Sequence, residues 1–176
     1  MNELQALLGR VSAPSNPMES GSEQEWDDLR RGLNVTIPTE LKKLIQLYGS
    51  GGFDSFLWLL NPHSRNPHLN LLLRGKEILR LHGERQQQGD RSLPYDLGVE
   101  LPALYPWAVT DNGDVLFWRT EGQESVVVYS PRDGEHEEFP LRIDAFLNRL
   151  LRGEIRSDLF PDDFPSTAPS FTVLQP

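Results

Sequence analysis

The chain has no cysteine, and only two of its 176 residues are methionine. It has no apolar run near the ~20 residues that cross a bilayer, and only 17 Lys/Arg against 26 Asp/Glu. Without cysteine there is no disulfide framework, no thiolate zinc site and no thiol nucleophile, and a reducing, cytoplasmic setting is the expectation. The opening residues M-N-E-L-Q-A-L-L-G-R-V-S lack a basic stretch followed by an apolar one of signal-peptide length, so no targeting segment is expected. The shortage of basic residues gives a net charge of -9 and is steepest in residues 93–176, with 6 Lys/Arg against 15 Asp/Glu. Affinity for nucleic acid depends on Lys and Arg displacing counterions, so direct nucleic-acid binding is not expected there. An acidic half suits steering toward a basic partner, and it also serves plain solubility.

The length fits one domain, expected over residues 22–153. Residues 1–21 combine a short apolar pattern at Leu4, Leu7 and Leu8 with the Pro/Ser/Gly-rich S-A-P-S-N-P-M-E-S-G, which predicts a poorly ordered lead-in. Residues 154–176 form an acidic, proline-rich tail expected to be irregular, with Leu159, Phe160 and Phe164 available to pin it to the domain.

Ile37–Leu60 is the strongest organising stretch. Pro38 suits a first helical position, Leu41, Leu44, Ile45 and Tyr48 share a helical face, and Gly49 supplies the stop. Phe53–Leu60 then reads as a strand buried on both faces. Before it, Ser22 and Glu25 form a capping box for a helix carrying Trp26, Leu29 and Leu33 and ending near Gly32. A basic helix is expected over 70–88, weakened by Gly75. The strongest strand signal follows: W-A-V-T and V-L-F-W-R flank Asn112-Gly113, a hairpin signature. Ser125–Ser130 is a further strand, and the charged Glu135–Phe139 an edge strand. Ile143, Phe146, Leu147, Leu150 and Leu151 define a last helix, stopped by Gly153. Consecutive strands with short loops mean an antiparallel sheet.

Chemical motifs are sparse. Gly49–Gly52 follows a helix and leads into a strand, the reverse of a phosphate loop. His63, His68, His82 and His136 lack metal-ligand spacing and read as surface residues. Asp111, Asn112 and Asp114 hint at calcium, but Gly122 stands where a calcium loop needs its bidentate Glu. No G-x-S-x-G occurs, and pairs such as Asp162-Asp163 and Glu137-Glu138 lie in solvated stretches that do not split two carboxyl pKa values. No catalytic residue, cofactor or metal is expected.

Taken in order, the motifs resemble the SUKH superfamily, which includes bacterial immunity proteins against polymorphic toxins and fungal cell-wall-synthesis regulators. The resemblance covers about residues 22–153. It rests on Trp26 before Leu33, I-P-x-x-L-x-x-L-I-x-x-Y-G from Ile37 to Gly49, and L-L-N-P at Leu59–Pro62. Further along it rests on D-N-G-D-V-L-F-W from Asp111 to Trp118, V-V-V-Y at Val126–Tyr129 and F-L-x-x-L-L-x-G from Phe146 to Gly153. It implies an α+β domain, a curved, mainly antiparallel sheet packed against helices and used as a non-catalytic protein-binding scaffold. It further implies an immunity protein that occludes a cognate toxin, often a basic nuclease, with a general interaction or regulatory scaffold as the alternative. Carboxylates of Asp114, Glu121, Glu124, Glu135, Glu137 and Glu138 are the expected partner-facing rim, and Trp58 and Trp118 the candidate anchors, although both lie in apolar strand runs where core burial is the commoner fate.

Overall fold

Short turns between consecutive apolar strands force each to run against the last. In the computed structural model, which describes residues 1–98 and 100–175, the strands are β1 (Gly51–Phe53), β2 (Leu57–Leu59), β3 (Leu104–Thr110), β4 (Val115–Arg119), β5 (Val126–Ser130), β6 (Glu135–Phe139) and β7 (Phe171–Val173). They form one open antiparallel sheet in the order β6-β5-β4-β3-β2-β1-β7. The helices are α1 (Glu3–Arg10), α2 (Glu23–Gly32), α3 (Thr39–Tyr48), α4 (Leu71–Gln87) and α5 (Ile143–Leu151). The fold is α+β, with the curved sheet packed on helices. Among the described residues no helix is long and apolar enough to cross a membrane.

The middle of the sheet is covered on both sides. Phe146 of α5 meets Phe139 and Trp107 at ring separations of 5.1 and 6.3 Å. His82 of α4 meets Tyr129 edge-on at 5.3 Å, on the face that strand alternation sets opposite Phe139. Every residue of β5 is buried in consequence. Gly75, a weak point in the helix pattern, lets α4 come close: a Cβ there would stand 2.9 Å from the Tyr105 hydroxyl. The Gly49–Gly52 loop has the same origin. A Cβ on Gly49 would lie 2.3 Å from the Met18 carbonyl oxygen, and one on Gly51 2.2 Å from that of Thr172.

Three expectations are corrected. Residues 1–21 are not a loose lead-in. Asn2 and Gln5 form a capping box, Leu4 and Leu7 are buried, and α1 is tied to α5 by Asn148 Nδ2 donating to Glu3 (2.7 Å), Arg10 Nε to the Leu151 carbonyl (3.1 Å) and Arg152 to the Ala6 carbonyl (3.1 Å). The following linker is held as well: Glu19 accepts from Ser50 Oγ and from the Arg65 N–H, and its carbonyl from Asn61. Phe53–Leu60 is not one strand but two, because Asp54 and Ser55 both adopt positive φ, at 51° and 50°. The Asp54 carboxylate holds that turn by accepting from the N–H groups of Ser166 and Ser170. The tail is not wholly irregular. It supplies β7, which pairs with β1 and sets Phe171 against Tyr48 and Phe53, while Phe160 and Phe164 pack on Phe56.

If α1 belongs to the core, Leu7→Ala removes a fully buried side chain and costs about 2–5 kcal/mol of unfolding free energy in a denaturant titration. A loss below about 0.5 kcal/mol would mark α1 as a surface appendage.

Candidate functional site

Three chain segments converge beside the end of β4: the entry to α3 (Thr36–Glu40), the β4–β5 turn (Thr120–Ser125) and the entry to α5 (Arg142–Ile143). Both helices start without a side-chain cap, since Pro38 and Arg142 occupy the capping positions. Together with Trp118 and Arg119 they line a cleft of about 400 Å³. A second hollow of about 450 Å³ shares Thr36, Arg119, Thr120 and Glu121 and continues past Asn34 and Val35 to Leu101–Ala103, where Leu101 is 75% exposed.

Charge in the cleft is unbalanced. Its two cations already have partners: Arg142 holds the buried Asp144 through two contacts, at 2.6 and 3.1 Å, and Arg119 lies 3.5 Å from Glu138. Its three other carboxylates, Glu40, Glu121 and Glu124, make no ion pair or side-chain hydrogen bond among the described residues. Glu40 is half-buried, and its carboxyl is pushed above the ordinary range chiefly by loss of solvent. Asp144 and Glu124 add to the rise, against the lowering effects of its own N–H and of Arg142. The one cation near enough to act on Glu40, Arg142, is hydrogen-bonded to Asp144, so this half-buried acid is left with only part of the compensation that its burial calls for.

Of the residues expected to face a partner, the fold brings Glu121, Glu124 and Trp118 into this cleft, with Glu138 behind Arg119. Trp118 is buried and stacked on Tyr105 at 5.0 Å, which makes it floor rather than anchor. Glu138 is held below the usual carboxylate range by hydrogen bonds from Ser125 and Tyr95, and the Tyr95 hydroxyl is pushed up to about 12, mainly by burial. Glu135 stands exposed at the start of β6, away from the cleft lining, and Glu137 accepts from the Asp158 N–H. Trp58 is half-buried on β2, its indole N–H donating to Asp111 at 2.7 Å. Asp114 is not on the rim: it is 1% exposed, with Thr110 Oγ1 donating to its carboxylate at 2.7 Å. The turn claims this acid to order its own main chain. His82 is buried rather than at the surface, and His63 is half-buried edge-on to Trp26.

The chain matches no protein-family model, no curated protein and no solved structure. The functional reading rests on the residues themselves. Among those described, no group of three or more His, Asp or Glu side chains is arranged to hold a metal. Sequence reasoning missed Glu40, Arg119 and Arg142. Glu40 reads as an ordinary acid in a helix's first turn, and only the closure of α3 against the β4–β5 turn sets it beside Glu124.

The raised carboxyl of Glu40 fixes the sign of a pH effect. Between the ordinary carboxylate range and the raised folded value, the folded chain holds this proton more firmly than the unfolded chain does. Stability therefore falls as pH rises through that window. Glu40→Gln should raise the denaturation midpoint at neutral pH, and the advantage should vanish at about pH 4, where both chains carry a neutral side chain. A midpoint lowered at neutral pH would mean that Glu40 is already compensated.

Proposed function

We propose that this chain is a non-catalytic, cytoplasmic protein-binding domain that acts as an immunity protein, occluding a basic, nuclease-type toxin by occupying it. The observation that carries the reading is the trio Glu40, Glu121 and Glu124, three carboxylates in one cleft whose resident arginines are engaged elsewhere. A nuclease needs Lys and Arg to hold phosphate, and those are the groups such a cleft accepts. Charge complementarity of this kind chiefly raises the association rate. The exposed Leu101 at the far end of the groove offers an apolar contact that slows dissociation. The likeness of the motifs to the SUKH superfamily supports the same assignment, and the acidic second half of the chain extends the attractive field beyond the cleft.

Co-expression with the product of the adjacent gene is the direct test. The reading predicts protection of growth and a stoichiometric complex. A complex without protection would point to a regulatory scaffold, and neither protection nor complex would remove the immunity assignment.

Reversing Glu121 and Glu124 together to Lys should slow association with that product about tenfold or more at low salt, with the difference shrinking as salt screens the pair. An unchanged rate at low salt would show that partners dock on another face.

A further inference from the structure

The sheet ends at β6, whose outer side pairs with no other strand among the described residues. Both faces of this edge strand are engaged. On one, His136 Nδ1 lies 3.1 Å from the Ser92 carbonyl oxygen and Glu138 meets Ser125 and Tyr95. On the other, Glu137 accepts from the Asp158 N–H at 2.9 Å and Phe139 packs on Phe146. What stays open are the alternate main-chain donors and acceptors of Glu135–Phe139 that do not turn toward β5, on a strand whose five residues are exposed or half-exposed. The opposite edge, β7, offers three residues.

An open edge of this length pairs readily with any strand whose side chains permit it. The side chains of β6 do not permit its own copy. An antiparallel pairing centred on Glu137 sets that acid against itself, and one centred on His136 sets Glu135 against Glu137. Like charges directly opposite are destabilising, whereas opposite charges at the same positions stabilise. The edge therefore selects a strand carrying Lys or Arg. It is also continuous with the acidic cleft: Glu138 contacts Ser125 and Arg119, which line the cleft, and Arg142 follows Phe139 by three residues.

We infer that β6 is a docking edge for an extended basic segment of the partner, which adds to the sheet as a further strand and leads its cationic side chains toward the cleft. This rests on the partner being a basic protein and not on its being a toxin. Main-chain hydrogen bonds supply affinity in such an arrangement, and the exposed Glu135 supplies the choice of charge.

The test uses the full chain and defined peptides of about ten residues alternating Lys with Thr, the same with Glu in place of Lys, and the Lys form N-methylated on its central residues. Amide hydrogen exchange along β6 and binding by titration are read together. The Lys peptide should slow exchange of the outward β6 amides about tenfold or more, and the Glu peptide should leave it unchanged. N-methylation, which keeps the charge and removes the donors, should weaken binding about tenfold, and Glu135→Lys should weaken binding of the Lys peptide several-fold. Equal binding of the N-methylated and plain Lys peptides, or no change at β6 with the Lys peptide, overturns the docking mode. The outcome is separable from the protection assay: a protective complex in which β6 exchange is unaltered overturns strand addition and leaves occlusion standing.

Discussion

Burial of the middle of the sheet on both faces is the constraint from which the rest follows. β5 is buried at every position, β4 at all but Arg119 and β3 at all but Val109, so no unpaired charge is tolerated there. Charge is driven to the turns, the edge strand and the helix starts. Asp144 and Asp114, the acids that do lie inside, are held by a bidentate arginine and by a threonine hydroxyl. The remaining carboxylates collect where the cover ends, and the cleft beside Trp118 is one such place.

The cleft also shows why acids can accumulate without unfolding the site. Glu40 and Asp144 stand in the first turns of α3 and α5, where the positive end of the helix dipole offsets part of their charge. Loss of solvent outweighs that offset at Glu40, whose carboxyl is pushed above the ordinary range chiefly by burial. Arg142 and Arg119 are drawn to Asp144 and Glu138, which have better geometry, and the outer acids are left over.

Much of the fold was legible because local signals agreed with burial. The Ser22–Glu25 capping box, the stripe Leu41, Leu44, Ile45 and Tyr48, the Asn112-Gly113 hairpin and the charged edge at Glu135–Phe139 all appear where the pattern put them. What was not legible depended on distant partners. α1 is too short to hold by its own pattern and forms against α5, more than a hundred residues away. The turn that splits β1 from β2 is held by serines of the tail, and β7 exists because β1 offers it an edge. The candidate site was half legible. Glu121 and Glu124 line one cleft, whereas Asp114 is taken up by its own turn, and Glu40 joins them only through tertiary closure.

The central claim is that the cleft holds a carboxylate short of a cation, and the most direct measurement is a carboxyl-carbon NMR titration of Glu40 in the free chain and in its complex. The account predicts a titration above the ordinary carboxylate range in the free chain, moving downward once a partner's Lys or Arg occupies the cleft. A Glu40 that titrates at or below the ordinary range when free, or that does not move in the complex, would contradict it.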